Sequence, residues 1–398
     1  MPIQEPQYPA TSSAVVTAPA TAAPALRPVL PGDGEAIHAL LVANIAGVLE
    51  DRGRWLRRWQ WQCWDNPFRQ QRPAGWVMVD GERIVGHLGA VYVPLRVGRE
   101  RKLGMIGADY AVSPDAVAQG GAFAGLQLAQ AFFVSADRLV PLATTANAKT
   151  GAVFTRFGCT PVPWTSEFWR APTTLAQQVR TCRGAASRIV RELLTQPGGP
   201  ILAGLAGRLY RAAGRRPRVP VPSDCRLEIT TPRLACDLGR LHERAAEDVL
   251  AASRDALPVA VDRTTEYLNW RYTQHPERSN LSVLVLRSHD GSPAGAAFVF
   301  SEDRGPRRIA FVEDLITPPG RPDAARTLLA AALRLAGDRQ ADYLVTMTGR
   351  HELRPLYWEL GFESRARSAP AAVINCPPAG GEPSSPAIHL ELWHGAMF

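Results

Sequence analysis

The stretch Ala108–Leu128, ADYAVSPDAVAQGGAFAGLQL, gathers residue types that can hold an anion and move a proton. Asp109, Tyr110, Ala111 and Val112 read as a strand, Ser113-Pro114-Asp115 breaks it, and Gln119-Gly120-Gly121-Ala122 makes a turn of small residues. From Phe123 to Phe133 the chain is apolar at helical spacing. A strand that enters a helix through glycines leaves N–H groups free at the positive end of the helix dipole. That arrangement suits a phosphate. Glycines also let a ligand come close to the main chain. Many strand–glycine–helix junctions bind nothing, so other residues must support the reading. Asp109 is a carboxylate on the strand itself, and His87 lies on the strand before it. Either could accept a proton; either could equally be structural, Asp109 by orienting a loop or pairing with a core arginine.

The elements around this stretch follow in order. Leu26–Val29 is a short strand, and a helix begins near Asp33, with Ile37, Leu40, Leu41, Ile45 and Val48 at helical spacing. Trp55–Pro67 carries four tryptophans in ten residues and reads as an amphipathic helix that covers a sheet. Gly75–Asp80 and Arg83–Val97 form a hairpin across Asp80-Gly81. After the glycine turn, Leu139–Thr144 is a strand, and Asn147 opens a helix that ends at Gly158. A last strand pair lies around Val162 to Trp169.

The order strand–glycine turn–helix–strand–Asn–helix–Gly resembles the GNAT superfamily of acyl-CoA-dependent N-acyltransferases. Its turn pattern, Val-x-Pro-x-x-Arg/Gln-x-x-Gly-x-Gly/Ala, is met by Val112, Pro114, Gly120 and Ala122, with Val117 at the Arg/Gln position. Its second pattern, Asn then Tyr then Gly, falls on Asn147, Phe154 and Gly158, so the tyrosine hydroxyl is missing. The resemblance implies acetyl-CoA, or another acyl-CoA, as co-substrate. It places the pyrophosphate on the N–H groups of Gln119, Gly120, Gly121 and Ala122, and assigns Val112, Asn147 and Phe154 to the same binding site. It puts an oxyanion-holding N–H near Ala111–Ser113, and places His87 on the acceptor side of a cleft.

From about Cys225 the pattern begins again. Trp61 aligns with Trp270, Asn66-Pro67 with His275-Pro276, Val112-Ser-Pro114 with Ile316-Thr-Pro318, and Phe154–Gly158 with Tyr357–Gly361. The offset stays near 205 residues, as in an internal duplication. Asp109 and Glu313 then share one repeat position. The second copy replaces the glycine turn with Arg321–Arg326, puts Arg350 at the Asn position and keeps a tyrosine, Tyr357, as a candidate acid. The resemblance is nearest to proteins carrying Trp-Arg-Tyr and His/Asn-Pro motifs that accompany bacterial exopolysaccharide synthesis.

Composition sets the outer limits. The chain has 398 residues, 46% hydrophobic and 21% charged, with no stretch apolar enough to span a bilayer. The first residues lack the pattern of a secretory signal, which points to the cytoplasm. Six scattered cysteines contain no Cys-x-x-Cys pair, so no metal site is expected. Residues 171–222 hold nine arginines and one acid, which accounts for the whole formal charge of +8. Its two amphipathic runs, with arginines from Arg180 to Arg218, can lie on an anionic membrane surface or act as a solvated bridge. Aromatic platforms for bases are absent, which argues against nucleic acid.

The expectation is therefore an α/β protein of two tandem GNAT-like mixed-sheet domains joined by a basic helical insert. Its divisions are a tail at 1–24, an acyl-CoA-binding domain at 25–170, the insert at 171–222 and a degenerate domain at 223–398. The expected reaction is acyl transfer, most simply acetyl, to a primary amine, either a small molecule or a glycan such as an amino sugar. Asp109, His87 and Tyr357 are its candidate catalytic residues. The alternatives are a non-catalytic scaffold docked through the arginine-rich insert, and a tRNA-dependent aminoacyl transferase.

Overall fold

A computed structural model describes residues 24–174, 219–232, 238–239 and 259–375, with short interruptions, among them 119–122. The tail, most of the arginine-rich insert and the glycine turn expected to hold phosphate lie outside the described residues.

The first half contributes β1 (Ala25–Pro28), α1 (Gly34–Asn44), α2 (Arg52–Trp59), β2 (Gly75–Asp80), β3 (Arg83–Val97) and β4 (Glu100–Val112). It continues with α3 (Pro114–Ala118), α4 (Ala124–Val134), β5 (Val140–Ala143), α5 (Ala148–Arg156), β6 (Thr160–Pro161) and β7 (Glu167–Pro172). The second half supplies β8 (Cys225–Thr230), β9 (Val259–Val261), α6 (Thr265–Leu268), β10 (Leu281–Ser288), β11 (Pro293–Arg304) and β12 (Arg307–Ile316). It ends with α7 (Pro322–Asp338), β13 (Tyr343–Thr346), α8 (Arg354–Glu359), β14 (Glu363–Ala366) and β15 (Val373–Ile374). These are two mixed α/β lobes built in the same order, as the sequence suggested.

The elements form where the sequence pattern demands them. Asp51 caps α2 by accepting from the Arg54 N–H. The tryptophan-rich helix then widens into a π-helical turn at Gln60–Trp64, and α6 does the same at Asn269–Thr273. Trp55, Trp59 and Trp61 are buried, so this segment does cover a sheet.

Each lobe, however, completes its sheet with a strand from the other. The first sheet runs β1-β2-β3-β4-β5-β15-β6, and the second runs β14-β7-β13-β12-β11-β10-β8. The expected partnership of the two strands after Gly158 is therefore replaced. β6 pairs with β15, and β7 inserts between β13 and β14. An edge strand is satisfied by any partner of matching register, and here the partner lies about 200 residues away.

The lobes also meet through a reciprocal contact. The Trp61 and Trp270 rings stack with centroids 5.0 Å apart. Each indole N–H donates to the other's backbone carbonyl, at 3.0 and 3.2 Å. Beside the stack, Arg54 and Arg58 of α2 grip Glu277 of the second lobe, with Arg58 Nη2 at 2.6 Å from Oε2 and 3.1 Å from Glu302. Arg54 binds the same Glu277 carboxylate through Nε and Nη2.

Burial alone would raise the Glu277 carboxyl, but Arg54 and Arg58 hold it down at about 2, below its ordinary 4.5. A depressed carboxylate stabilises the fold above pH 4.5 and loses that contribution as pH falls towards about 2. Glu277→Gln should therefore cost about 2 kcal/mol at neutral pH, a figure reduced for partial solvent screening. Denaturant unfolding should show the gap from wild type narrowing steadily below pH 4.5.

Candidate functional site

The site begins with one surplus residue in β4. His87 of β3 pairs with Ala111, and Gly89 pairs with Ala108, so Asp109 and Tyr110 together face Leu88. This is a β-bulge. Asp109 takes the left-handed conformation, with φ 52°. For a residue with a side chain that conformation costs on the order of 1–2 kcal/mol, although aspartate tolerates it better than most.

The bulge comes just where β4 leaves its other neighbour. β4 pairs in parallel with β5 only over Gly104–Ile106 and Val140–Leu142, while β4 itself continues to Val112. Beyond Ile106 the ladder between them ends, and β5 itself finishes at Ala143. The second lobe repeats this: β12 pairs with β13 only over Ile309–Phe311, and its bulge falls on Glu313. Both lobes thus carry an acidic residue at a bulge just past the end of the parallel ladder.

The bulge also sorts the side chains. Ala111 packs with Cys63, Val77 and the α1–α2 helices. Cys63 also feels the Asp109 charge. Tyr110 and Val112 pack on the opposite face, towards α4. A Cβ on Gly125 of α4 would lie 2.7 Å from the Tyr110 hydroxyl, so glycine is required there.

His87 is 1% exposed. Its Nδ1 lies 2.8 Å from the Asp109 carbonyl oxygen. A carbonyl only accepts, so Nδ1 carries the proton and Nε2 is the acceptor. Nε2 is buried with no partner. Burial pulls the imidazole down to about 4, against the Asp109 carbonyl and Asp33, so His87 is neutral at physiological pH. Asp109 is half-buried, and that burial pushes its carboxyl up to about 7. It has no ion pair or hydrogen bond to its side chain among the described residues. Glu313 differs: Arg271 Nη2 reaches its Oε2 at 2.8 Å, and both side chains are 1% exposed. Burial raises the Glu313 carboxyl and Arg271 opposes it.

The remaining sequence candidates lie elsewhere. The Asn147 side chain caps α5, accepting from the Thr150 N–H at 2.9 Å. Phe154 is fully buried against Phe132 and Phe133. A Cβ on Gly107 would come within 2.6 Å of its ring, so the ring abuts the β4 backbone. Tyr357 belongs to the second lobe's core, stacked on Trp169 at 5.3 Å and edge-on to Phe362. The structure brings Asp109 and His87 together, with Val112 farther along the same strand. Gln119, Gly120, Gly121 and Ala122 fall outside the described residues. The π-turn residues Gln62 and Arg271 carried no individual signal in the sequence, although aligning Trp61 with Trp270 already sets one opposite the other.

No metal-binding group of three or more His, Cys, Asp or Glu occurs among the described residues. No protein-family model matches the chain, and no curated protein does. Solved structures do. A GCN5-related N-acetyltransferase from Anabaena variabilis aligns at TM-score 0.53 and 12% identity, over 88% of this chain and 72% of its own. Yeast N-myristoyltransferase from Saccharomyces cerevisiae, with bound myristoyl-CoA, gives 0.55 and 12% over 94% and 79%. A probable N-acyltransferase from Enterococcus faecalis gives 0.52 and 10% over 88% and 71%. At such identities the likeness shows the fold: two GNAT-like lobes.

A raised carboxyl is a stability cost. Its folded value, about 7, lies above the ordinary 3.8, so ionisation opposes folding increasingly from pH 3.8 to 7 and by a constant amount above. Asparagine keeps the left-handed tolerance and the shape without the charge. Asp109→Asn should raise urea stability by about 1–3 kcal/mol at pH 8 and by little at pH 4.

Proposed function

We propose that the protein is an acyl-CoA-dependent N-acyltransferase whose chemistry takes place in the first lobe. The observation that carries this reading is the Asp109 bulge. It sets a carboxylate with no ion pair among the described residues, and with a proton affinity near neutrality, on the strand that runs on past its ladder with β5. The fold supports the class, since solved neighbours include N-acyltransferases and one holds myristoyl-CoA.

In this reading the space past the β4–β5 ladder receives the acyl-CoA, and the glycine segment 119–122, outside the described residues, takes its diphosphate. A primary amine attacks the thioester carbon. As the C–N bond forms, the Asp109 carboxylate takes the proton from nitrogen; the C–S bond then breaks and CoA leaves as the thiolate. A base with a value near 7 is half ionised at working pH and still basic enough to assist. His87 stays neutral and holds the Asp109 carbonyl. The Phe154 ring already abuts Gly107 and offers no hydroxyl to the leaving sulfur. Acetyl-CoA is the simplest donor, and an amino sugar or other glycan amine is the acceptor class proposed.

Three features support assigning the second lobe a supporting role. Arg321 at the start of α7 is paired with Asp323, whose carboxylate would repel a phosphate. Arg350, at the position of Asn147, bonds Thr317 just beyond the end of β12 at 2.7 Å. Glu313 is engaged by Arg271.

Two measurements test the proposal. At a hundred times its dissociation constant, acetyl-CoA should stabilise the protein by about 2.7 kcal/mol. No shift at millimolar concentration sinks the reading and favours a non-catalytic scaffold. With amine acceptors, thiol release should rise as pH increases through about 7, because the ionised form of Asp109 is the active one. Asp109→Asn should lower kcat by about 100-fold or more without weakening acetyl-CoA binding.

A further inference from the structure

The two lobes place corresponding π-helical turns beside corresponding bulges, but the turns differ in charge. Setting Trp61 on Trp270 puts Gln62 opposite Arg271 and Cys63 opposite Tyr272. In the second lobe Arg271 reaches down from its turn to the bulge carboxylate, Glu313. In the first lobe the corresponding position is a buried, uncharged Gln62, and the bulge carboxylate, Asp109, has no cationic partner among the described residues. Cys63, the next residue, packs in the same core cluster as Ala111, two residues past Asp109, so this turn lies beside its bulge as the other does.

We propose that the charge at this one π-turn position decides which lobe keeps a working proton acceptor. Gln62 is a positioning residue that leaves the Asp109 carboxylate unclaimed, and Arg271 is the lock that retires Glu313. This rests on the acyl-transfer reading only for the use made of Asp109.

The titratable and charged groups around Asp109 are consistent with it. Cys63, from the turn, is pushed up by burial and stays a thiol. His87, from β3, is neutral and bonded to the Asp109 main chain. Asp33, which acts on His87 from before α1, is paired with Arg27 at 2.7 Å. Arg69, which acts on Cys63 from the loop after the turn, is stacked on Trp64, with its guanidinium carbon 4.8 Å from the ring centroid. None of them forms an ion pair with Asp109. The two bulges also differ in backbone. His87 pairs with Ala111, and its counterpart in the second lobe, paired with Leu315, is Ala297, which has no ring to grip the bulge. Only Asp109 of the two acids takes a positive φ.

The test installs the lock in the first lobe of the full-length protein. Gln62→Arg should pair with Asp109, just as Arg271 pairs with Glu313. Infrared titration of the carboxyl band, identified by its loss in Asp109→Asn, should show the midpoint falling by about 1–3 pH units. Thiol release from acetyl-CoA with amine acceptors should fall about tenfold or more at pH 7. A folded Gln62→Arg protein with an unmoved Asp109 band overturns the inference. Should that variant not fold, Arg271→Gln gives the reverse reading. The Glu313 band, identified by Glu313→Gln, should then move up by about 1–3 pH units; an unmoved band overturns the inference. Both infrared readings are independent of any acyl-CoA. If the proposed activity fails, the lock can still hold, and if the lock fails, the proposed activity can still stand.

Discussion

The one surplus residue in β4 governs the site. A regular antiparallel ladder would continue β4 in step with β3, alternate its side chains evenly and leave no reason for a polar group to sit beside the core. Inserting Asp109 breaks that alternation between Ala108 and Ala111. It sends Tyr110 to the α4 face and Ala111 to the α1–α2 face, and it falls just beyond the end of the pairing of β4 with β5. The left-handed backbone at Asp109 would relax if the strand could slip by one residue. Two things prevent that. His87 bonds the Asp109 carbonyl, and the ladder on either side is locked by buried pairs such as Val91 with Ile106.

The two lobes hold one another in this state. β15 finishes the first sheet and β7 the second, so neither sheet is complete without the other half of the chain. The Trp61–Trp270 exchange then sets both π-turns at fixed depth, because each indole is bonded to the backbone of the opposite turn. The depth of a turn determines whether its next residue can reach the bulge below. A symmetric clamp thus presents two asymmetric residues, Gln62 and Arg271, to two equivalent carboxylates. The clamp is common to both lobes; the residue at the turn, the backbone at the bulge and the grip of His87 are not.

Much of this was legible in the residues. The hairpin at Gly81, the start of a helix at Asn147 and the equivalence of Trp61 with Trp270 follow from turn chemistry, helix patterning and the repeat offset, whereas the stacking of the two rings does not. The matching of Asp109 with Glu313 also came from that offset. The strand exchange did not, because β15 is two residues, Val373 and Ile374, whose partners are chosen by tertiary register. Nor did the left-handed backbone at Asp109, since an aspartate in a strand and an aspartate at a bulge have the same local sequence. Asn147 and Phe154 fit a binding motif by spacing, yet the structure turns one into a helix cap and the other into core. Spacing along a helix fixes which residues share a face, and not whether that face meets a ligand or a neighbouring element.

The acidic residues of the interior divide by their partners. Glu277 is held near 2 between Arg54 and Arg58, and it contributes to the joining of the lobes throughout the neutral range. Asp262 is likewise bonded by Arg96 and Arg101, and Asp314 by Arg263. Each of these carboxylates is matched by a cation that offsets its desolvation. Among the described residues Asp109 is raised near neutrality without one, and its ionisation opposes folding at the pH where it would be useful. A protein gains nothing in stability from such a residue. Its place just past the β4–β5 ladder, in a strained conformation gripped by a neutral histidine, makes sense if the carboxylate is needed in a state that stability alone would remove.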